Sequence, residues 1–131
     1  MAAVREKAGK SLGAGPAEFD DAFAKARTET KNRLGTTASS HSRLLYFQRT
    51  LEHLGFRSQA QLNLEFEQTY WNSFLFEMER RDGVLDFLDL LARASVPKVI
   101  ITDLTTGIQL RKLVYLELDR FFEFVITSEE S

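Results

Sequence analysis

Thr102 and Asp103 are the residues whose type and spacing are best suited to chemistry. They follow the apolar run Val99-Ile100-Ile101 and precede Thr105, Thr106 and Gly107, where a helical pattern begins. Such a run reads as a strand of a covered parallel sheet, and ligands of such sheets bind beyond the carboxyl ends of the strands. The chemistry that suits this turn is the holding of a phosphate. A threonine hydroxyl donates to a phosphoryl oxygen, and the unpaired N–H groups at the helix start add donors and a favourable dipole. The same residues have a plainer use, because Thr105 or Asp103 also serves as a helix cap. Spacing alone leaves both readings open.

The neighbouring sequence predicts the elements that position this turn. Phe124-Val125-Ile126 forms a second strand-like run ending in Thr127, and between the runs Thr105 to Leu118 places Gly107, Leu110, Leu113 and Val114 on one helical face. Arg111, Lys112 and Glu117 fall away from that face or at its rim. Strand, helix and strand make a βαβ unit with a right-handed crossover, both strands expected to be buried under helices on both faces. Ahead of it, Gly83 starts an amphipathic helix with Val84, Leu85, Leu88 and Leu91 inward and Asp86, Asp89 and Arg93 outward.

From Gly83 to Ser131 the chain resembles haloacid dehalogenase superfamily hydrolases. The resemblance is carried by Gly83-Val84, the strand end Ile-Ile-Thr102-Asp103, the run Gln109-Leu110-Arg111-Lys112-Leu113, the pair Phe121-Phe122, and Val125-Ile126-Thr127-Ser128-Glu129-Glu130. Thr102 falls on the family's second motif, whose hydroxyl holds the transferring phosphoryl group. Asp82, Asp103 and Glu117 stand where relatives often carry proline, asparagine and glycine. The resemblance implies a magnesium-dependent phosphatase acting on a small phosphate ester: an aspartate attacks the ester, and the aspartyl phosphate is then hydrolysed. That aspartate belongs to a D-x-D motif on the family's first strand, and this chain contains no D-x-D. Asp20-Asp21, the nearest acidic pair, lies within the helical pattern Phe19, Ala22, Phe23, Ala26 and reads as a solvated face. The family's later lysine and magnesium-binding acidic pair belong to a segment downstream of Ser131. The resemblance therefore implies an internal piece that carries the second motif, lacks identifiable metal ligands and is inactive by itself. It also implies an upstream reading frame encoding a D-x-D strand.

Residues 1 to 81 read as helices throughout. Val4, Ala8 and Leu12 share a face before the break at Gly13-Ala14-Gly15; Pro16 opens a helix with Phe19, Phe23, Ala26 and Thr30 as its stripe, and Gly35 closes it. The hydroxyl-rich stretch Thr36 to Arg43 opens a helix carrying Leu44, Phe47, Leu51 and Leu54, and a hydroxyl cap is sufficient explanation for it. His53 sits where it favours the negative helix end. Ser58 with Gln61 matches a capping box, opening a long helix to Arg80 with two apolar stripes that imply two packing partners. In the resembled family a helical cap folds over the active site, which implies a substrate-entrance role for His41 or Arg43 beside their capping or surface role. The expected architecture is α/β: a helical cap, 1–81, and a partial doubly wound, Rossmann-like core, 82–131, mostly helical by content.

Composition narrows the remaining classes. With 131 residues, 19 acidic against 17 basic side chains and a net charge of −2, the chain has no basic field for nucleic acid or an anionic membrane. It has no cysteine, which excludes disulfides and thiolate catalysis and fits a cytoplasmic protein. Its apolar runs fall short of the ~20 residues of a spanning helix, and Arg5, Glu6 and Lys7 interrupt any signal-peptide core. A reading from another class competes with the phosphatase: a non-catalytic helical module, derived from such an enzyme, that uses its exposed cap or core surface for association; the exposed sheet edges also predict self-association.

Overall fold

The computed structural model describes residues 1–130, which divide into two compact units, Met1–Phe76 and Glu77 onward. The first unit contains α1 (Ala2–Leu12), α2 (Pro16–Leu34), α3 (Arg43–His53) and α4 (Ala60–Phe76), with a short 3-10 turn at Ala38–His41. Gly13, at φ 69°, ends α1 by donating its N–H to Gly9 O, a left-handed closure that glycine makes without strain. Pro16 occupies the first turn of α2, where no helical N–H is needed.

The four helices bury one another's apolar stripes. Val4 and Ala8 of α1, Phe19 of α2, Phe47 and Leu51 of α3 and Phe66 of α4 form the centre. Phe47 meets Phe23 at 5.4 Å, Phe66 at 5.8 Å and Tyr70 at 6.1 Å between ring centroids. The buried hydroxyls of Thr30 and Thr50 donate to Ala26 O (2.8 Å) and Tyr46 O (2.7 Å), so each polar atom enters the core satisfied. Ion pairs Arg5–Asp20 and Lys7–Glu65 join α1 to α2 and to α4; partly exposed and screened by solvent, each adds little.

Two expectations for this half need correction. The helix expected to reach Arg80 ends at Phe76, with no basic residue in its last turn. Extending it would place Glu77 and Glu79 at the negative end of the helix dipole. The Ser58–Gln61 capping box is not made either. The Asn63 N–H donates to Gln59 O at 2.8 Å, and the Gln61 carboxamide turns forward to Glu65 at 3.0 Å.

The second unit contains α5 (Val84–Arg93), β1 (Val99–Thr102), α6 (Thr106–Tyr115) and β2 (Phe124–Thr127). The strands pair in parallel, with Val99 opposite Phe124 and Thr102 opposite Thr127. This is a mostly helical α/β arrangement with a two-stranded sheet. Helix α6 is shorter than the expected span to Leu118. It closes where Leu118 N–H reaches Leu113 O at 2.9 Å and Glu117, at φ 56°, takes the left-handed position usually filled by glycine. Arg80 secures that end, donating to Leu116 O at 2.7 Å and pairing with Glu117 at 3.2 Å.

The sheet is not covered on both faces. Ile100 and Val125 are half-buried, whereas their neighbours Val99, Ile101, Phe124 and Ile126 are exposed, Ile101 at 79%. Alternation explains the pattern: successive strand side chains point to opposite faces, and this unit's helices shield only one. On α6, Leu113 is buried, but Leu110 and Val114, expected on the same inward face, are exposed. The two-stranded sheet is too narrow to receive the full width of the stripe.

Candidate functional site

The C-terminal ends of β1 and β2 lie side by side, because the register sets Thr102 against Thr127. The segments leaving the two strands therefore meet, the loop Asp103–Thr105 on one side and Ser128–Glu130 on the other. Thr102, Asp103, Thr105 and Thr106 all belong to this one turn, Asp103 exposed and the three threonines half-buried. Thr102 Oγ1 accepts the Leu104 N–H at 3.2 Å, so the hydroxyl's accepting side is engaged while its proton still has a donor role to play. Thr105 takes the N-cap position of α6, as the plainer reading has it, but without a side-chain capping bond.

The Thr106 N–H, expected to face an anion, already does so. It donates to Glu129 Oε2 at 2.7 Å, a carboxylate from the end of β2. The Thr106 and Thr127 hydroxyls share a 2.7 Å hydrogen bond. Ser128 Oγ donates to Asp103 O (2.8 Å) and Leu104 O (3.2 Å), and Glu130 accepts the Thr127 N–H at 3.0 Å. The Thr106 backbone N–H, followed by its hydroxyl, holds the Glu129 carboxyl below its ordinary 4.5. At the amino-terminal ends of the strands, Glu123 lies below the same value, chiefly because it accepts the Lys98 backbone N–H.

Sequence reasoning gave no role to Thr127, Ser128, Glu129 and Glu130. The available signal was the parallel pairing itself: two adjacent strands, each ending in threonine, bring the polar residues after them together.

His41 and Arg43 lie in the first unit. His41 closes the 3-10 turn and is exposed; Ser42, the next residue, caps α3 by accepting the Leu45 N–H at 3.3 Å. The Arg43 guanidinium lies 5.3 Å from the ring centroids of Tyr46 and Tyr70 and 5.8 Å from that of Trp71, and donates to His41 O at 3.0 Å. Three electron-rich faces around one cation engage it within the unit. Clefts of about 150 and 160 Å³ in this unit, between α3 and the start of α4 and between α2 and α3, include neither residue.

Among the described residues, no three His, Asp or Glu side chains come together to hold a metal ion. At the strand ends one oxygen of Glu129 accepts the Thr106 N–H and one of Glu130 the Thr127 N–H. No helix among the described residues is long and apolar enough to cross a membrane.

No protein-family model matches the chain. The chain is 39% identical over 114 residues to a ribulose-1,5-bisphosphate 5-phosphatase of Halopiger xanaduensis. The matched segment makes up 86% of this chain and 47% of that protein, so the chain spans about half the length of the curated relative it matches.

Proposed function

We propose that this chain is the phosphate-positioning part of a haloacid dehalogenase-like phosphatase acting on a small phosphate ester. The observation that carries the reading is the likeness of most of the chain to a protein named for removing phosphate from a sugar bisphosphate. Ribulose 1,5-bisphosphate is therefore the first substrate to test. In this reading Met1–Phe76 acts as a helical cap and the second unit as part of a doubly wound core in a cytoplasmic enzyme. Thr102 holds the phosphoryl group through its hydroxyl, with Asp103, Thr105 and the first turn of α6 beside it; His41 and Arg43 belong to the cap. The aspartate nucleophile and the magnesium ligands come from residues outside this sequence.

A replacement experiment tests the proposal. The matched segment of the Halopiger phosphatase is exchanged for this chain, and phosphate release from ribulose 1,5-bisphosphate is followed with and without magnesium. Magnesium-dependent turnover that falls at least about a hundredfold in Thr102→Ala supports the reading, the scale expected when a donor to developing charge is lost. A folded chimera whose turnover is unchanged by Thr102→Ala sinks it.

The exposed row Val99, Ile101, Phe124 and Ile126 favours a second reading, a non-catalytic module that associates through its sheet. An inactive chimera together with concentration-dependent light scattering of the present chain would select it.

A further inference from the structure

The loop after β1 has little of its own to hold its shape. Asp103–Thr105 lies outside helix and sheet, and Thr102 Oγ1 accepting the Leu104 N–H is a single bond within it. Its other fastenings come from the opposite strand end. Ser128 Oγ donates to two successive loop carbonyls, Asp103 O and Leu104 O; Glu129 accepts the Thr106 N–H; and the Thr127 hydroxyl meets that of Thr106. Three consecutive residues thus fasten two places in the turn, Asp103–Leu104 and Thr106, from more than twenty positions away in the chain. Glu130 steadies the clasp itself through the Thr127 N–H.

We infer that Thr127–Glu130 is a positioning clasp for the β1–α6 loop, and that Glu129 is the positioning residue that sets how Thr102 faces a phosphoryl group. This inference rests on the phosphate-holding reading above. A carboxylate acting as a rival anion at the helix start would need only its own bond to Thr106. The neighbouring Ser128 bonds to loop carbonyls add nothing to such competition, whereas they are what a clasp requires. A glutamine at 129 keeps an oxygen that accepts the Thr106 N–H; an alanine does not.

The test uses the full chain, with inorganic phosphate as probe, amide chemical shifts as the binding readout and amide hydrogen exchange as the readout of loop order. In the native chain phosphate shifts the amides between Thr102 and Gly107. Glu129→Ala weakens this binding by about fivefold and speeds exchange at Leu104 and Thr106 by about tenfold, while Leu113 in the body of α6 stays protected; Glu129→Gln restores both. If Glu129→Ala also loosens Leu113, Ser128→Ala, which leaves the carboxylate in place, must reproduce the faster Leu104 exchange; unchanged exchange there overturns the clasp. Phosphate binding equal to or tighter than native in Glu129→Ala overturns it too, because the carboxylate is then a competitor or a bystander. If phosphate shifts no loop amide in the native chain, the phosphate-holding reading fails, and the clasp stands or falls on the exchange rates alone.

Discussion

Replacing Arg43 separates its two candidate roles. Its guanidinium faces three aromatic rings, at 5.3, 5.3 and 5.8 Å, and its stem is half-buried beside them. One cation shared by three rings does not count three times over; a partly desolvated site of this kind contributes about 1–2 kcal/mol. Arg43→Met keeps an apolar stem and removes the charge, so it should destabilise the first unit by about 1–2 kcal/mol. Arg43→Ala also removes the packing of the stem and should cost roughly 1 kcal/mol more. For a unit of this size each kcal/mol lowers Tm by about 4–8 °C. The chain's single tryptophan, Trp71, is 7% exposed and borders the guanidinium, so its fluorescence reports this unit's unfolding. A change under about 0.5 kcal/mol in both variants, with the fluorescence transition otherwise intact, would refute the ring account and return Arg43 to the substrate-entrance role.

Phe47→Ala removes a fully buried ring touching Phe23, Phe66 and Tyr70, and should cost about 3–5 kcal/mol in urea unfolding of the first unit; a loss below about 2 would mean the core collapses around the cavity. Acidification should loosen the second unit. Glu123 and Glu129 sit below their ordinary 4.5 in the folded chain, so their contribution is present in full above that value and lost as pH falls through the lowered pKa values. Protection of the Lys98 amide, its exchange rate taken against the intrinsic rate at the same pH, should fall as pH drops below 4.5, whereas the Thr106 amide, which a neutral carboxyl oxygen still accepts, should lose less; constant protection at Lys98 would count against it. Ile101→Lys places a charge on the open sheet face, 79% exposed in the native chain, and should abolish concentration-dependent light scattering without lowering stability; scattering that persists would show that association uses another surface.

The fold was legible in the sequence wherever one element decides its own geometry. Gly13, Pro16 and Gly35 mark helix ends by backbone conformation alone, and α1, α2 and β1 follow from local pattern. Features that depend on distant partners were not legible. Val99 and Ile101 look the same whether a sheet is covered once or twice, and only the packing exposes one face. Arg43 carries no mark of the ring at position 70 or 71 that engages it. The placement of Thr102 at a strand end was readable, but Glu129 reaching the Thr106 amide across the sheet depends on register, which no local pattern encodes.

The parallel pairing of β1 with β2 also sets an order of events during folding. In the first unit α2 meets α3 and α3 meets α4 as neighbours in the chain, contacts of low sequence separation that favour fast folding, and α1 then closes onto α4. The sheet cannot close until α6 has formed, turned back and carried β2 into register, so loop-closure entropy is spent before any ladder bond repays it. Throughout that delay Ile101 and Phe124 meet the solvent along with two unpaired strand edges. Refolding yield should therefore fall with protein concentration through losses at the second unit, while the helical first unit refolds in full.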